Sequence, residues 1–265
     1  MIKERYPPFD PSQIDNRKKE YMIGQNEGAS FTQFKMFVPK SCKRKFLDCN
    51  FQEPTEICHV QVVNNHILDV AESMTTKGIE HYMQTLQQIP CVLNVVSREF
   101  DGNNLSTNHE CRDELINLRT NFCRTLVQNM YPLTDHDCVY SKGIIIIRHT
   151  FPLPQFFYKE NEIANIVLIT AAPYKISQLL SEQKMTDTDY INTQSVIEAV
   201  FQTAIGGQHQ NLLLGPFGHE NDNNPEDDII KIYNYCIFKY GHKFKKILFC
   251  FPKYYSKEIY DKYNT

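Results

Sequence analysis

The chain has 265 residues, of which 42% are hydrophobic, and a formal net charge of −3 at pH 7. This length suits one large domain or two small ones, and the hydrophobic content excludes a disordered chain. The small net charge gives no global attraction to nucleic acid or to a membrane surface. The longest apolar run, residues 143–147, is far too short to span a bilayer.

The nine cysteines indicate a compartment in which thiols stay reduced. They form no CxxC pair, no apolar signal region follows the first residues, and several cysteines lie within apolar stretches. We therefore predict an intracellular protein, cytoplasmic or nuclear, that needs no cofactor. Cys42, Cys49, Cys58 and His59 are possible zinc ligands, but their spacing matches no standard pattern and ordinary packing is favoured.

The first 55 residues are predicted to form an N-terminal extension that packs on the core. We predict a proline-rich arm over residues 1–17, a helix over residues 12–28 and a strand over residues 31–38. The basic run at residues 40–45 is favoured as a solvated patch over a contact for a phosphate polymer.

Strands and helices alternate over residues 56–265, which we predict to be the core domain. The predicted strands are 57–63, 91–96, 143–148, 163–170, 211–214 and 246–251, and the predicted helices are 67–87, 109–129, 188–204, 225–240 and 254–260. This alternation predicts an α/β sandwich of three layers, with a mixed, largely parallel central sheet. Ligands of such sheets bind beyond the carboxyl ends of strands. The loops after Val96, Ala172 and Leu214 are therefore expected to surround one crevice.

Residues 90–115 carry the strongest candidate site. An apolar strand, 91–96, leads into a loop that contains Gly102, and a helix begins near His109. Free backbone N–H groups and the helix dipole converge at such a helix start, which makes it a natural anion site. Acidic residues follow directly, so phosphate recognition and acid chemistry can share one pocket.

Several motifs here have counterparts, in the same order, in one known family. Residues 92–104 read VLNVVSREFDGNN and align without a gap with VLNFASAKNPGGG, and residues 113–115 follow eight residues later in the place of QEE. Residues 138–141, 169–173, 213–218 and 224–227 correspond to YSP, TAAAP, LGAWG and NDPED. In these motifs the chain resembles the microbial-type poly(ADP-ribose) glycohydrolases (PARGs), a macrodomain family, from about residue 18 onwards. The resemblance implies a macrodomain-like fold with a crevice for ADP-ribose.

The departures from the family motifs fall where the resemblance places the chemistry. The three glycines that let the backbone approach a diphosphate become Gly102, Asn103 and Asn104 here. Glu114 matches the first glutamate of the family's pair and is the candidate catalytic residue. Leu115 occupies the position of the family's catalytic glutamate and cannot transfer a proton.

The second phosphate loop of the family is changed as well. Its sequence GCGVF becomes GHEND at residues 218–222, which removes a glycine and an aromatic residue and adds two acids. Each acid repels a diphosphate by about 1 kcal/mol at the dielectric of a protein surface. The ligand-binding residues that the resemblance implies are Asn94, Gly102, Asn103, Asn104, Gly215, Phe217 and Gly218.

Three functions stay open on this sequence, because a fold does not determine a function. The chain binds ADP-ribose or a related nucleotide diphosphate without efficient hydrolysis, or it is a scaffold that binds a protein partner and no nucleotide. The third alternative is an active glycohydrolase with Glu114 or Glu110 as its acid. No membrane contact is expected, and nothing in the sequence points strongly to nucleic acid.

Structural roles compete with these functional ones at single positions. Glu114 is equally explained as a surface acid favoured by the helix dipole. Asn103 and Asn104 are typical of a loop turn. Phe217 is explained by packing, and Ser141 with Lys142 by a turn.

Overall fold

The computed structural model describes residues 35–38, 57–77, 84–96, 112–122, 133, 137–148, 158, 160–176, 179, 184–218, 224–252 and 261–263. Among the predictions, the arm, the helix over 12–28, the basic run at 40–45 and the helix over 254–260 lie outside these residues. The division into an extension and a core at residue 55 stays a prediction.

The described strands form one seven-stranded sheet in the order β1-β4-β5-β3-β6-β7-β2. They are β1 (Lys35–Val38), β2 (His59–Val63), β3 (Cys91–Val95), β4 (Cys138–Ile146), β5 (Ala164–Ala171), β6 (Asn211–Leu214) and β7 (Lys246–Cys250). Strands β2, β7, β6, β3 and β5 run parallel to one another, and β4 and β1 add antiparallel pairings at one side. The predicted mixed, largely parallel sheet is confirmed.

Helices cover both faces of the sheet. They are α1 (Ile67–Ser73), α2 (Arg112–Arg119), α3 (Asp187–Gly206) and α4 (Glu226–Tyr240), with 3-10 turns at Glu160–Glu162 and Gly241–Lys243. Side chains alternate across a strand, so Leu93 packs with the α3 and α4 side chains while Val92 packs with those of α1 and α2. The two apolar clusters make the α/β/α sandwich that the sequence predicts.

The two long helices begin where the sequence places them. Thr186 caps α3, because its Oγ1 accepts a hydrogen bond of 3.1 Å from the Asp189 amide. Pro225 stands at the N-cap of α4 rather than within its first turn. Three acidic residues follow it, in the part of the helix where the dipole favours negative charge.

The first two helices are shorter than predicted. The sequence predicts α1 as far as residue 87, but it ends at Ser73, where the Ser73 and Thr75 hydroxyls bond to carbonyls of its last turn. The sequence predicts α2 as far as residue 129, but it ends at Arg119. Asn121 leaves the helix because it bonds to Ile145 of β4 instead. Its backbone N–H donates to the Ile145 carbonyl, and its side-chain Oδ1 accepts from the Ile145 backbone N–H.

Strand β4 is longer than predicted and contains an irregularity. Ser141 is buried within the strand, so the predicted turn at Ser141 and Lys142 is wrong. The pairing with β5 shifts between Ser141 and Ile144, and Gly143 adopts a φ of 65°. A glycine in the left-handed region lets the strand bulge and then resume its pairing.

Candidate functional site

The candidate site lies at the carboxyl edge of three parallel strands. β3 lies between β5 and β6, so the strand ends near Val96, Ala172 and Leu214 lie side by side. The Val96 amide donates to the Ala171 carbonyl at 3.1 Å and keeps the ends of β3 and β5 in register. The three strand ends are adjacent, as the sequence predicted; the loop that follows Val96 lies outside the described residues, so the crevice itself stays a prediction.

Asn94 holds the ends of β3 and β5 together. Its side chain is fully buried on the side of α1 and α2, and its Nδ2 donates to Thr170 Oγ1 at 3.2 Å. Its Oδ1 accepts no hydrogen bond from the described residues. A buried amide oxygen without a donor costs about 1–3 kcal/mol, which is unusual in a residue that serves stability alone.

The loop after β6 begins as part of the core. Gly215 is buried, and its carbonyl accepts a hydrogen bond of 3.3 Å from the Tyr233 hydroxyl of α4. Phe217 is fully buried in the apolar cluster under α3 and α4. A fully buried ring has no face on which a base can stack. Phe217 is therefore a packing residue and leaves the ligand-binding set predicted from the sequence.

Gly218 is the point at which this loop must be glycine. Its φ is 72°, and an added Cβ would overlap the Asn224 side-chain amide and lie 2.9 Å from Pro173 Cβ. Asn224 donates to the Gly218 carbonyl from its backbone N at 3.0 Å and from Nδ2 at 3.3 Å. Its Nδ2 also reaches the Tyr174 carbonyl at 3.0 Å. The sequence did not assign Asn224 to the site, although its NDPED resemblance was the available signal.

The position of the family's catalytic acid lies in α2. Glu114 lies in the first turn of this helix, and its side chain is outside the described part of the chain. Leu115, the next residue, is half-buried. Gly102, Asn103, Asn104, Glu110 and residues 219–222 also lie outside the described residues. At the position that the resemblance assigns to the family's acid, the described side chain is therefore apolar and cannot donate a proton.

Arg119 belongs to a different part of the molecule. It is buried at the end of α2, with Asp69 at 2.7 Å and Glu72 at 3.4 Å, and its Nε donates to the Arg148 carbonyl. The neighbouring Thr120 bridges to Ile146, which pairs with the first residue of β5. This ion cluster therefore lies near the amino edge of the sheet, away from the crevice.

No metal centre emerges within the described ranges, where no three metal-ligating side chains come together. Cys58 is half-buried and burial raises the pKa of its thiol, while His59 beside it is exposed. Cys42 and Cys49 lie outside those ranges. None of the helices that the structure describes is long and apolar enough to cross a membrane.

Comparison with solved structures places the fold. The structure is similar to PARG from Thermomonospora curvata, with a TM-score of 0.75 and 11% identity over 96% of this chain and 98% of that chain. The same enzyme bound to the inhibitor ADP-HPD gives a TM-score of 0.73 at 12% identity, with the same coverage. PARG from Deinococcus radiodurans in complex with ADP-ribose gives 0.66 at 13% identity, over 89% of this chain and 96% of that chain. No protein-family model and no curated protein matches the sequence. The chain has the PARG-like macrodomain fold that its motifs predict.

Proposed function

We propose that this chain is a catalytically degenerate PARG-like macrodomain, which binds ADP-ribose or a related nucleotide diphosphate without efficient hydrolysis. The observation that carries the proposal is Leu115, a half-buried leucine at the position that the resemblance assigns to the acid, in a fold in which the carboxyl ends of β5, β3 and β6 lie side by side. Cleavage of a ribose–ribose bond needs a proton donor for the leaving oxygen, and leucine has none.

The retained groups at this edge suit a polar ligand. Gly218 presents backbone in a conformation that glycine favours, and Asn94 holds a buried acceptor oxygen close to the end of β3. Two of the solved PARG structures with this fold are described in complex with ADP-ribose or with the inhibitor ADP-HPD.

The three carboxylates at the start of α4 repel a bound anion less strongly than their number suggests. Lys262 lies 3.3 Å from both Glu226 and Asp227, and Lys231 lies 3.0 Å from Asp228. Each carboxylate therefore has a cation beside it. The lysines are partly exposed, so their effect is local neutralisation near the crevice rather than strong stabilisation.

Titration calorimetry with ADP-ribose tests the proposal. We expect binding heat for the natural chain and loss of that heat in Gly218→Ala, because the added Cβ meets Asn224 and Pro173. Gly241→Ala is the matched control, since its Cβ would meet only Ile237 at 3.4 Å beyond the far end of α4. With poly(ADP-ribose) as substrate, we expect no release of ADP-ribose over time. Release by the natural chain would overturn the non-hydrolytic part of the proposal.

A scaffold for a protein partner is the second candidate. Phe238 on α4 is 91% exposed and Ile191 on α3 is 64% exposed, and large apolar side chains at such exposure are common where proteins meet. No binding heat at millimolar ADP-ribose, together with a stable complex whose formation fails in Phe238→Ser, would favour this function over the first.

A further inference from the structure

The connection between β5 and α3, residues 172–186, is bonded near each of its ends to the segment around the start of α4, to Asn224 just before the helix and to Asp228 in its first turn. Near its beginning, the Tyr174 carbonyl accepts from Asn224 Nδ2 at 3.0 Å. Near its end, the Met185 amide donates to Asp228 Oδ2 at 2.9 Å. Asn224 and Asp228 are both nearly fully buried. The start of α4 thus determines where this connection enters and leaves the carboxyl edge.

Asn224 also closes the loop that follows β6. Its backbone N and its Nδ2 both donate to the Gly218 carbonyl, at 3.0 and 3.3 Å. One side-chain amide therefore contacts carbonyls of two different loops, that of Tyr174 after β5 and that of Gly218 after β6. The amide occupies the space that Gly218 leaves open by lacking a Cβ.

The helix that begins two residues after Asn224 is firmly held in the core. Ile229 and Ile232 of α4 are fully buried, and the Tyr233 ring meets the Phe249 ring of β7 at 5.0 Å between centroids. Two loops that share one donor beside the start of a fixed helix cannot separate without breaking hydrogen bonds that are out of water, where the loss is costly.

We propose that Asn224 is the positioning residue of the candidate site: it sets the spacing between the loops after β5 and β6, and so the width of the crevice that takes a nucleotide diphosphate. This inference rests on the proposed function for its ligand, but its effect on the loops can be measured without one. Asn224 acts through the backbone at Gly218 and Tyr174 and makes no contribution to bond cleavage.

Asn211 provides a matched control on β6. Its Nδ2 also donates to a backbone carbonyl, that of Gln87 at 3.4 Å, but it lies at the amino end of the strand. Asn211→Ala therefore removes the same kind of hydrogen bond at the opposite edge of the sheet. Asn224→Ala leaves no side chain to clash, and Asn224→Ser serves as the second variant if the alanine variant does not fold.

Amide hydrogen exchange without ligand and calorimetry with ADP-ribose together test the inference. For Asn224→Ala we expect exchange at residues 172–176 and 213–218 to quicken about tenfold and the Kd for ADP-ribose to rise about tenfold, because the substitution removes the Nδ2 hydrogen bonds to both the Tyr174 and the Gly218 carbonyls. Asn211→Ala should leave both within about twofold.

The outcomes separate the two ideas. If the natural chain gives no binding heat, the proposed function fails, and the exchange comparison alone still decides the role of Asn224. Equal exchange at these loops in the Asn224 and Asn211 variants would overturn the inference. So would an unchanged Kd for Asn224→Ala in a chain that binds ADP-ribose.

Discussion

Acidification should destabilise this fold through one buried histidine, His209. Its Nε2 lies 2.6 Å from the Tyr140 hydroxyl and its Nδ1 lies 3.2 Å from the Ile89 carbonyl. The carbonyl can only accept, so Nδ1 carries the proton and Nε2 accepts from Tyr140. Burial lowers the pKa of His209 to about 4, and the charge of Lys142 acts in the same direction, while backbone hydrogen bonds at Ile89 and Leu86 oppose them.

The size of the effect follows from the two protonation states. The pKa is 6.5 in the unfolded chain and about 4 in the fold, a difference worth about 3 kcal/mol at about 1.4 kcal/mol for each pH unit. Between these values the unfolded chain binds more protons than the folded chain. The contribution to the free energy of unfolding is therefore complete above pH 6.5 and is lost as the pH falls towards 4.

Urea unfolding of the natural chain and of His209→Gln at several pH values between neutral and about 4 measures this contribution. Glutamine keeps one donor and one acceptor but does not titrate, so carboxylates that titrate in both proteins cancel in the difference. We expect the stability advantage of the natural chain to shrink by about 3 kcal/mol over this range. A difference that stays constant with pH would refute the assignment of a neutral, buried His209.

Three further changes test other parts of the structure. Arg119→Met should lower the free energy of unfolding, measured in urea, by about 3 kcal/mol, because Asp69 and Glu72 of α1 lose their buried partner. A loss below about 1 kcal/mol would show that solvent screens these two carboxylates. Leu115→Glu should gain release of ADP-ribose from poly(ADP-ribose), followed by chromatography, and no gain over the natural chain would show that more than this carboxylate is missing. Thr186→Ala should cost about 1 kcal/mol through loss of the α3 cap, whereas Thr188→Ala, at an exposed position, should cost almost nothing, and equal effects would contradict the cap.

The sheet was predictable because its strands are apolar on both faces. Cys91, Val92 and Leu93 are all buried, as a strand between two helical layers requires, and this pattern is visible without knowledge of any partner. Helix ends were less predictable. Helix α2 ends where Asn121 forms hydrogen bonds with Ile145 of β4. The sequence alone does not show that β4 lies beside the end of α2.

The candidate site also has features that the sequence shows and features that depend on distant partners. The assignment of Leu115 to the acid position rests on its motif alone, because that position is defined by spacing along the chain. The roles of Phe217 and Asn224 depend on α3, α4 and the β5 loop, which are distant in sequence or belong to another connection. Arg119, four residues after Leu115, pairs with Asp69 of α1 near the opposite edge, and its sequence position does not specify that partner.

The pairing of β2 with β7 affects how the chain can fold during synthesis. His59 is in register with Lys246, 187 residues later (246 − 59). Strand β2 therefore cannot form this pairing until β7 has been synthesised. Contacts of such sequence separation are slow to form, and until β7 leaves the ribosome β2 has no described neighbour in the sheet. A chain interrupted before residue 246 would leave Val62 and Val63 exposed, which makes the late end of translation the step most open to aggregation and to chaperone binding.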